Sequence, residues 1–84
     1  MKYKVICEVT FPLYEVTIDV NIPINKTIHY VCNMLDKIIV EEIDPNYQSK
    51  PTSILVNKKN GKVLDKNILV YGSEIGNGCK LSYY

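Results

Sequence analysis

The chain has few of the residues on which catalysis and metal binding depend. Its 84 residues include one histidine, three cysteines and no tryptophan. The cysteines, Cys7, Cys32 and Cys79, are odd in number and far apart, which argues against a disulfide framework and against a zinc site. Each falls on the predicted apolar face of its element, where a thiol behaves as a small hydrophobic group. We therefore expect neither a metal site nor thiol chemistry.

Strong charge and long apolar runs are also absent. A formal net charge of +1 gives no field that favours nucleic acid or an anionic membrane surface. The densest basic group is Lys58, Lys59 and Lys62, and a turn interrupts it, so a solvated hairpin tip is expected there. No segment has the roughly twenty apolar residues that span a bilayer. Residues 1–10 alternate and include Glu8, unlike a signal peptide, so we expect a cytoplasmic protein without membrane insertion.

The composition that remains is that of a small globular protein. Hydrophobic residues make up 46% and charged residues 23%, which predicts one folded domain over residues 1–84. Residues 3–11 and 15–22 alternate between apolar and polar, and a short turn at 12–14 joins them. This pattern predicts an antiparallel hairpin with one buried face. Ile6 lies on the polar face of the first strand and suggests that part of this face is covered.

The periodicity then changes from two to that of a helix. An apolar stripe runs at helical spacing through residues 28–39 after Pro23, and Asn25 or Thr27 is positioned to cap the first turn. Asp36 falls on the polar outer face. The sequence Asp44-Pro45-Asn46 ends the pattern, because a residue that precedes proline avoids helical angles. A helix of about four turns is predicted.

The remaining third of the chain reads as short strands. Residues 54–56 are a short apolar strand, and residues 62–64 return after Asn60-Gly61, which predicts a tight hairpin. If 54–56 lies at a sheet edge, no charged residue within it protects that edge. Residues 65–78 are irregular, with Ile68, Val70 and Ile75 as apolar anchors. Residues 79–84 form a closing strand. The order β-β-α-β-β-β predicts a two-layer α+β domain, although the order alone does not place the last strand in the sheet.

Three segments carry a resemblance to a known family. They are VNIPINKTI at 20–28, ILVNK at 54–58 and IGNGCKL at 75–81. With the element order, they resemble the YukD-like proteins, which are small ubiquitin-like components of the bacterial type VII (WXG100) secretion system. The resemblance implies a β-grasp fold with the first and last strands adjacent and parallel. It also implies an accessory or regulatory role with a protein partner, a membrane or ATPase component of the secretion system.

Enzymatic function is not expected, and neither is a cofactor or a small-molecule substrate. The single histidine, His29, falls in the first turn of the helix, with no nucleophile placed beside it by the sequence. A thiol-dependent enzyme is an alternative that rapid alkylation of Cys79 would support. A ubiquitin-like modifier or sulfur carrier is another, which the absence of a Gly-Gly after the closing strand at Tyr84 disfavours.

A binding surface is the remaining expectation. Leu13, Leu55 and Tyr84 match the apolar patch of ubiquitin-type domains by alignment, and each is out of phase with the inward residues of its element. Tyr14 and Ser82 are placed at the rim of this patch. Apolar residues with tyrosine are typical of small interfaces, whereas scattered surface apolar residues are the ordinary alternative. The sequence therefore predicts a protein-binding module that uses these five residues.

Overall fold

The computed structural model describes residues 3–84 and consists of one helix packed on a five-stranded mixed sheet. The strands are β1 (Lys4–Phe11), β2 (Val16–Pro23), β3 (Leu55–Asn57), β4 (Lys62–Val63) and β5 (Lys80–Tyr83), and the helix α1 spans Ile28–Ile38. The sheet order is β2-β1-β5-β3-β4, with β1 and β5 parallel and the other neighbours antiparallel. The predicted α+β class and element order are confirmed.

The β1–β2 hairpin has the predicted alternation. Cys7, Val9 and Phe11 are buried on the face toward the helix, because every second side chain of a strand points to the same side. Their register partners on β2 are Val20, Ile18 and Val16. The expected cover over Ile6 is not found, since its side chain is exposed on the opposite face.

Thr27 begins the helix, and a wide turn ends it. The Thr27 hydroxyl accepts a hydrogen bond from the backbone N–H of Tyr30 at 3.1 Å, so Thr27 is the N-cap rather than Asn25. The last turn, Ile39–Ile43, is π-helical and closes where the N–H of Asp44 donates to the carbonyl of Ile39 at 2.7 Å. Most of the predicted apolar stripe of the helix enters the core: Ile28, Val31, Cys32, Leu35 and Ile39 are buried, and Ile38 is half-buried.

Strand β5 joins the two halves of the sheet. It pairs in parallel with β1 (Val9 with Leu81) and antiparallel with β3 (Leu55 with Tyr83). Leu81 and Tyr83 are buried, and the Tyr83 ring meets the Phe11 ring edge-on, with centroids 6.3 Å apart. The adjacency of first and last strands that the resemblance implied is confirmed.

The β3–β4 hairpin differs from its prediction. Four residues, 58–61, separate the strands, and among the non-glycine residues of 3–84 only Glu15 has a positive φ, so Asn60 does not form the expected two-residue turn. Gly61 supplies the one left-handed position of the loop, at φ 72°. Strand β3 is also not an edge, because β4 and β5 cover both of its sides.

The connection between β4 and β5 is tied to the start of the helix. Thr27 forms an isolated antiparallel bridge with Leu69, and the N–H of Val70 donates to the carbonyl of Lys26 at 2.8 Å. Val70 and Ile75 are buried as predicted, whereas Ile68 is exposed. No helix within residues 3–84 combines the length and the apolarity needed to cross a bilayer.

Candidate protein-binding surface

The turn between β1 and β2 presents Leu13 to solvent. Pro12–Tyr14 form a single 3₁₀ turn, which proline favours at its start because its φ is preset. Glu15 closes this turn in the left-handed region at φ 54°, and its N–H donates to the carbonyl of Pro12 at 3.3 Å. Leu13 at the apex is 73% exposed, which confirms the expected exposure of this side chain.

Tyr14 fixes this turn to the end of the helical segment. Its hydroxyl donates to Oδ2 of Asp44 at 2.9 Å, while Oδ1 of Asp44 accepts from the backbone N–H of Asn46 at 3.0 Å. Partial desolvation, followed by the Asp44 carboxylate, raises the pKa of the Tyr14 phenol. The phenol therefore stays a donor at neutral pH, and the turn that carries Leu13 is held in one position.

Tyr84 lies beside this turn at the end of β5. Its backbone N–H donates to the carbonyl of Ile54 at 2.9 Å, and its side chain is 50% exposed. Leu13, Tyr14, Lys50 and Tyr84 line the rim of one crevice that encloses only about 10 Å³. We refer to these four residues as the Leu13 surface. A space of this size holds about one water molecule, so the surface can be covered by another protein but cannot enclose a substrate.

Two of the five predicted residues are absent from the Leu13 surface. Leu55 is 0% exposed and faces the helix opposite Tyr83, so its expected exposure is wrong. The run Ile54-Leu55-Val56 has no polar residue to show which face is buried, and the predicted phase is one residue out of step with the structure. Ser82 does not lie at the rim either: it is 5% exposed between its register partners Thr10 and Val56.

A partly buried polar cluster adjoins this surface through Tyr47 and Tyr83, which also line the crevice. The hydroxyls of Tyr47 and Tyr83 both donate to Oδ1 of Asp36, at 2.8 and 2.7 Å. Burial, together with this carboxylate, raises the pKa of both phenols. The buried Ser53 hydroxyl lies close to them without a well-formed hydrogen bond inside residues 3–84. Asp36 is thus half-buried and bonded rather than part of a solvated outer face.

Sequence reasoning missed Asp36, Tyr47 and Lys50 as parts of this site. Asp36 sits at a polar position of the helical pattern, and Tyr47 and Lys50 belong to an irregular loop. The sequence offers one signal: Tyr83 falls on the apolar face of the closing strand, and a buried phenol requires a hydrogen-bond acceptor. The sequence does not show which residues are brought next to this loop.

The groups considered for catalysis are placed apart. His29 is exposed on the first turn of the helix, and Cys7 and Cys32 are buried. Burial raises the pKa of Cys7 to about 11 and also raises that of Cys32, so both thiols are protonated at neutral pH, as expected. Residues 3–84 contain no group of three or more histidine, cysteine or acidic side chains arranged to hold a metal ion.

Exposed apolar side chains also lie at the opposite end of the β1–β2 hairpin. Tyr71 is 79% exposed, and its N–H donates to the carbonyl of Ile24 beyond the end of β2. Leu69 is exposed on the same β4–β5 connection as Tyr71, and Tyr30 is exposed on the first turn of the helix. The Nζ atom of Lys26 lies 5.1 Å from the centroid of the Tyr30 ring. Apolar exposure alone therefore does not single out the Leu13 surface. The side-chain hydrogen bond from Tyr14 to Asp44, which holds the turn that carries Leu13, does distinguish it.

Comparisons with known proteins identify the fold. No protein-family model matches the chain, and no curated protein matches it. Among solved structures, the ubiquitin-like domain of an Arabidopsis thaliana protein is similar at 14% identity, with a TM-score of 0.71 and coverage of 99% of this chain and 78% of that one. Caldiarchaeum subterraneum ubiquitin is similar at 14% identity, with a TM-score of 0.66 and coverage of 95% and 90%.

A third similar structure is a chain of the MycP5-free ESX-5 inner membrane complex. It has 13% identity to this chain and a TM-score of 0.79, and the match covers 99% of this chain. This chain spans only 21% of the length of that one. At such identities the likenesses establish architecture rather than function. Together with the mixed sheet around β5, they show that this chain has the ubiquitin-like β-grasp fold.

Proposed function

We propose that this protein is a non-enzymatic ubiquitin-like adaptor that binds another protein through the Leu13 surface. The observation that carries the proposal is the pairing of an exposed Leu13 and an exposed Tyr84 on a backbone held by hydrogen bonds. An apolar side chain and a tyrosine on a preorganised backbone bind with little loss of conformational entropy. Lys50 adds a charge at the rim, where it affects partner choice and association rate.

The partner that we propose is a membrane or ATPase component of a type VII secretion system. Two observations support it: the resemblance of residues 20–28, 54–58 and 75–81 to the YukD-like proteins, and the likeness of the fold to a domain-sized part of an ESX-5 inner membrane complex chain. In this proposal the protein works in the cytoplasm as an accessory or regulatory subunit. Its role is to occupy a site on the apparatus rather than to transform a substrate.

Quantitative capture from the native cell tests this proposal. The tagged protein and two variants, Leu13→Asp and Tyr84→Ala, are used as bait, and recovery of the secretion ATPase and the membrane components is measured by mass spectrometry. We expect Leu13→Asp to weaken capture about thirtyfold, the effect of losing about 2 kcal/mol at an interface hot spot. Tyr84→Ala should weaken it to a smaller extent.

Tyr71→Asp is the matched control, because it places the same charge on another exposed side chain at the opposite end of the hairpin. It should capture as the unmodified protein does, and all variants should have the same circular dichroism spectrum. Equal capture by Leu13→Asp and the unmodified protein would remove the Leu13 surface from the proposal. An intact mass with an adduct at the C-terminus of the native protein would instead favour a modifier.

A further inference from the structure

The two edges of the sheet are protected to very different degrees. Strand β4 ends one side and has two residues, Lys62–Val63, so it offers little backbone to pair with. Strand β2 ends the other side and has eight residues, Val16–Pro23. Natural sheets usually shorten or cover their edges, because free N–H and C=O groups pair with other strands. The long edge of β2 therefore requires an explanation.

The register shows which groups of β2 are free. The N–H of Ile24 donates to the carbonyl of Tyr3 at 2.7 Å, and on the other side of β1 the carbonyl of Ile6 accepts from Gly78 at 2.8 Å. Along a strand, the backbone N–H and C=O groups of successive residues point alternately to the two neighbouring sides. Ile24 bonds toward β1, so the even-numbered residues of β2 also bond to β1. The backbone groups of Thr17, Asp19 and Asn21 point to the open edge and have no backbone partner within residues 3–84.

An apolar groove runs beneath this edge. It has a volume of about 690 Å³ and lies between β2 and the helical segment. Its apolar lining consists of Val16, Ile18 and Val20 from β2 together with Met34, Ile38 and Ile43 from the helix and its last turn. All of them except Val20 are only half-buried. A strand added to β2 would place every second side chain over this groove and cover these surfaces.

The charges that line the groove indicate what kind of segment binds there. Asp19 and Glu42 line the groove, and no lysine or arginine of residues 3–84 lines it. A second copy of the chain is disfavoured, because β2 contributes no lysine or arginine that could meet Asp19. Of the two longest symmetric antiparallel pairings of two β2 edges, one places Asp19 opposite Asp19 of the other copy, and the other places Asp19 opposite Asn21. Like charges directly opposite each other destabilise a strand pair. A strand with lysine or arginine meets these carboxylates favourably.

We propose that the β2 edge and its groove bind an extended segment of a protein partner, with apolar residues at alternate positions and basic residues beside them. Backbone hydrogen bonds from Thr17, Asp19 and Asn21 would hold the segment in register. The segment's apolar side chains would fill the groove. This inference goes beyond the proposed function and uses a different surface, since the groove and the Leu13 crevice share no lining residue.

Two synthetic peptides test the proposal. Both have valine at alternate positions; one has lysine at both ends and the other has glutamate. Amide chemical shifts of the protein are followed by NMR during each titration. We expect the lysine peptide to shift the amides of Thr17, Asp19 and Asn21 and to bind about tenfold more tightly than the glutamate peptide. The Asp19→Lys variant should reduce or reverse this preference.

Asn21→Pro and Asn21→Ala form the matched pair of variants. Proline removes an N–H that faces the open edge rather than β1, so the sheet should tolerate it, and peptide binding should fall about tenfold relative to Asn21→Ala. If the proline variant does not fold, the Asp19→Lys comparison decides. Equal binding of both peptides, shifts confined to Leu13 and Tyr84, or pairing of β2 with a second copy would overturn the proposal. None of these results depends on a secretion component, so they are separable from failure of the proposed function.

Discussion

At the scale of single residues, Glu15 has a backbone conformation that is unfavourable for a residue with a side chain. Its φ of 54° and ψ of 39° lie in the left-handed region, which costs a residue with a Cβ about 1–2 kcal/mol. We expect Glu15→Gly to leave the free energy of unfolding unchanged or to raise it by up to about 1 kcal/mol, because glycine also loses more entropy on folding. Glu15→Val should lower it by about 1 kcal/mol or more.

Urea denaturation at neutral pH measures both variants, with Glu15→Asn as the control because asparagine tolerates left-handed angles. A valine variant as stable as the glycine variant would contradict the assigned backbone. The same turn presents Leu13, so Glu15→Val should also weaken capture through the Leu13 surface.

Exposure of individual residues was predictable only where neighbours of the other polarity set the phase. Leu13 lies in a turn after a clear alternation, and its exposure is confirmed. Leu55 lies in an uninterrupted apolar run, where either phase satisfies the pattern, and its predicted exposure is wrong. The role of Asp36 depends on two tyrosines, 11 and 47 residues away in sequence, so the helical pattern could not reveal it.

At the scale of elements, the start of the helix depends on one hydroxyl. Thr27 accepts from the N–H of Tyr30, one of the helix-start donors without an intrahelical partner. We expect Thr27→Ala to lower the free energy of unfolding by about 1 kcal/mol and Thr27→Ser to retain most of it. Thermal unfolding followed by circular dichroism measures the difference. Equal melting temperatures for the alanine and serine variants would show that the cap adds nothing.

Element boundaries were foreseen best where local chemistry decides them. A cap at Thr27 or Asn25 and a stop at Asp44 follow from nearby residues. In the structure Thr27 is the cap, and the helical segment stops at Asp44. The β3–β4 loop departs from the prediction and has a distant partner: Oε1 of Glu74 accepts from the side-chain amides of Asn57 at 2.7 Å and Asn60 at 3.0 Å. A two-residue turn rule does not include such a partner.

At the scale of the whole molecule, buried protonated groups make the fold sensitive to alkali. Burial, followed by proximity to Cys79, raises the pKa of Cys7 from 9.0 to about 11. Below pH 9 this thiol is protonated in both states, so the stabilisation is fully present. As pH rises toward 11, the unfolded chain loses the proton first, and stability falls by about 2 kcal/mol for this group. The pKa values of Cys32, Tyr47 and Tyr83 are also raised, so the loss of stability continues as the pH rises further.

Urea denaturation in the presence of a reductant, repeated from neutral pH upward, measures this loss. Cys7→Ala is the control: it should be less stable at neutral pH because it leaves a cavity, but its stability should decline less between pH 9 and 11. A flat pH dependence of the unmodified protein over this window would contradict the burial of Cys7.

The arrangement of the whole sheet was accessible only in part. Alternation and helical periodicity predict two layers and the order of elements, because both depend on neighbours in the sequence. The place of β5 came from the family resemblance, since many slots are compatible with the same order of strands. The pairing of Val9 with Leu81 joins residues from opposite ends of the chain, and no local pattern encodes it.

The central position of β5 has a consequence for biosynthesis. Hydrogen bonds from residues 80–83 are what connect the first hairpin to β3, and ribosomes deliver the amino end first. The hairpin and the helix must therefore wait with apolar faces uncovered until residues 80–83 leave the exit tunnel, a delay during which chaperones have access to them.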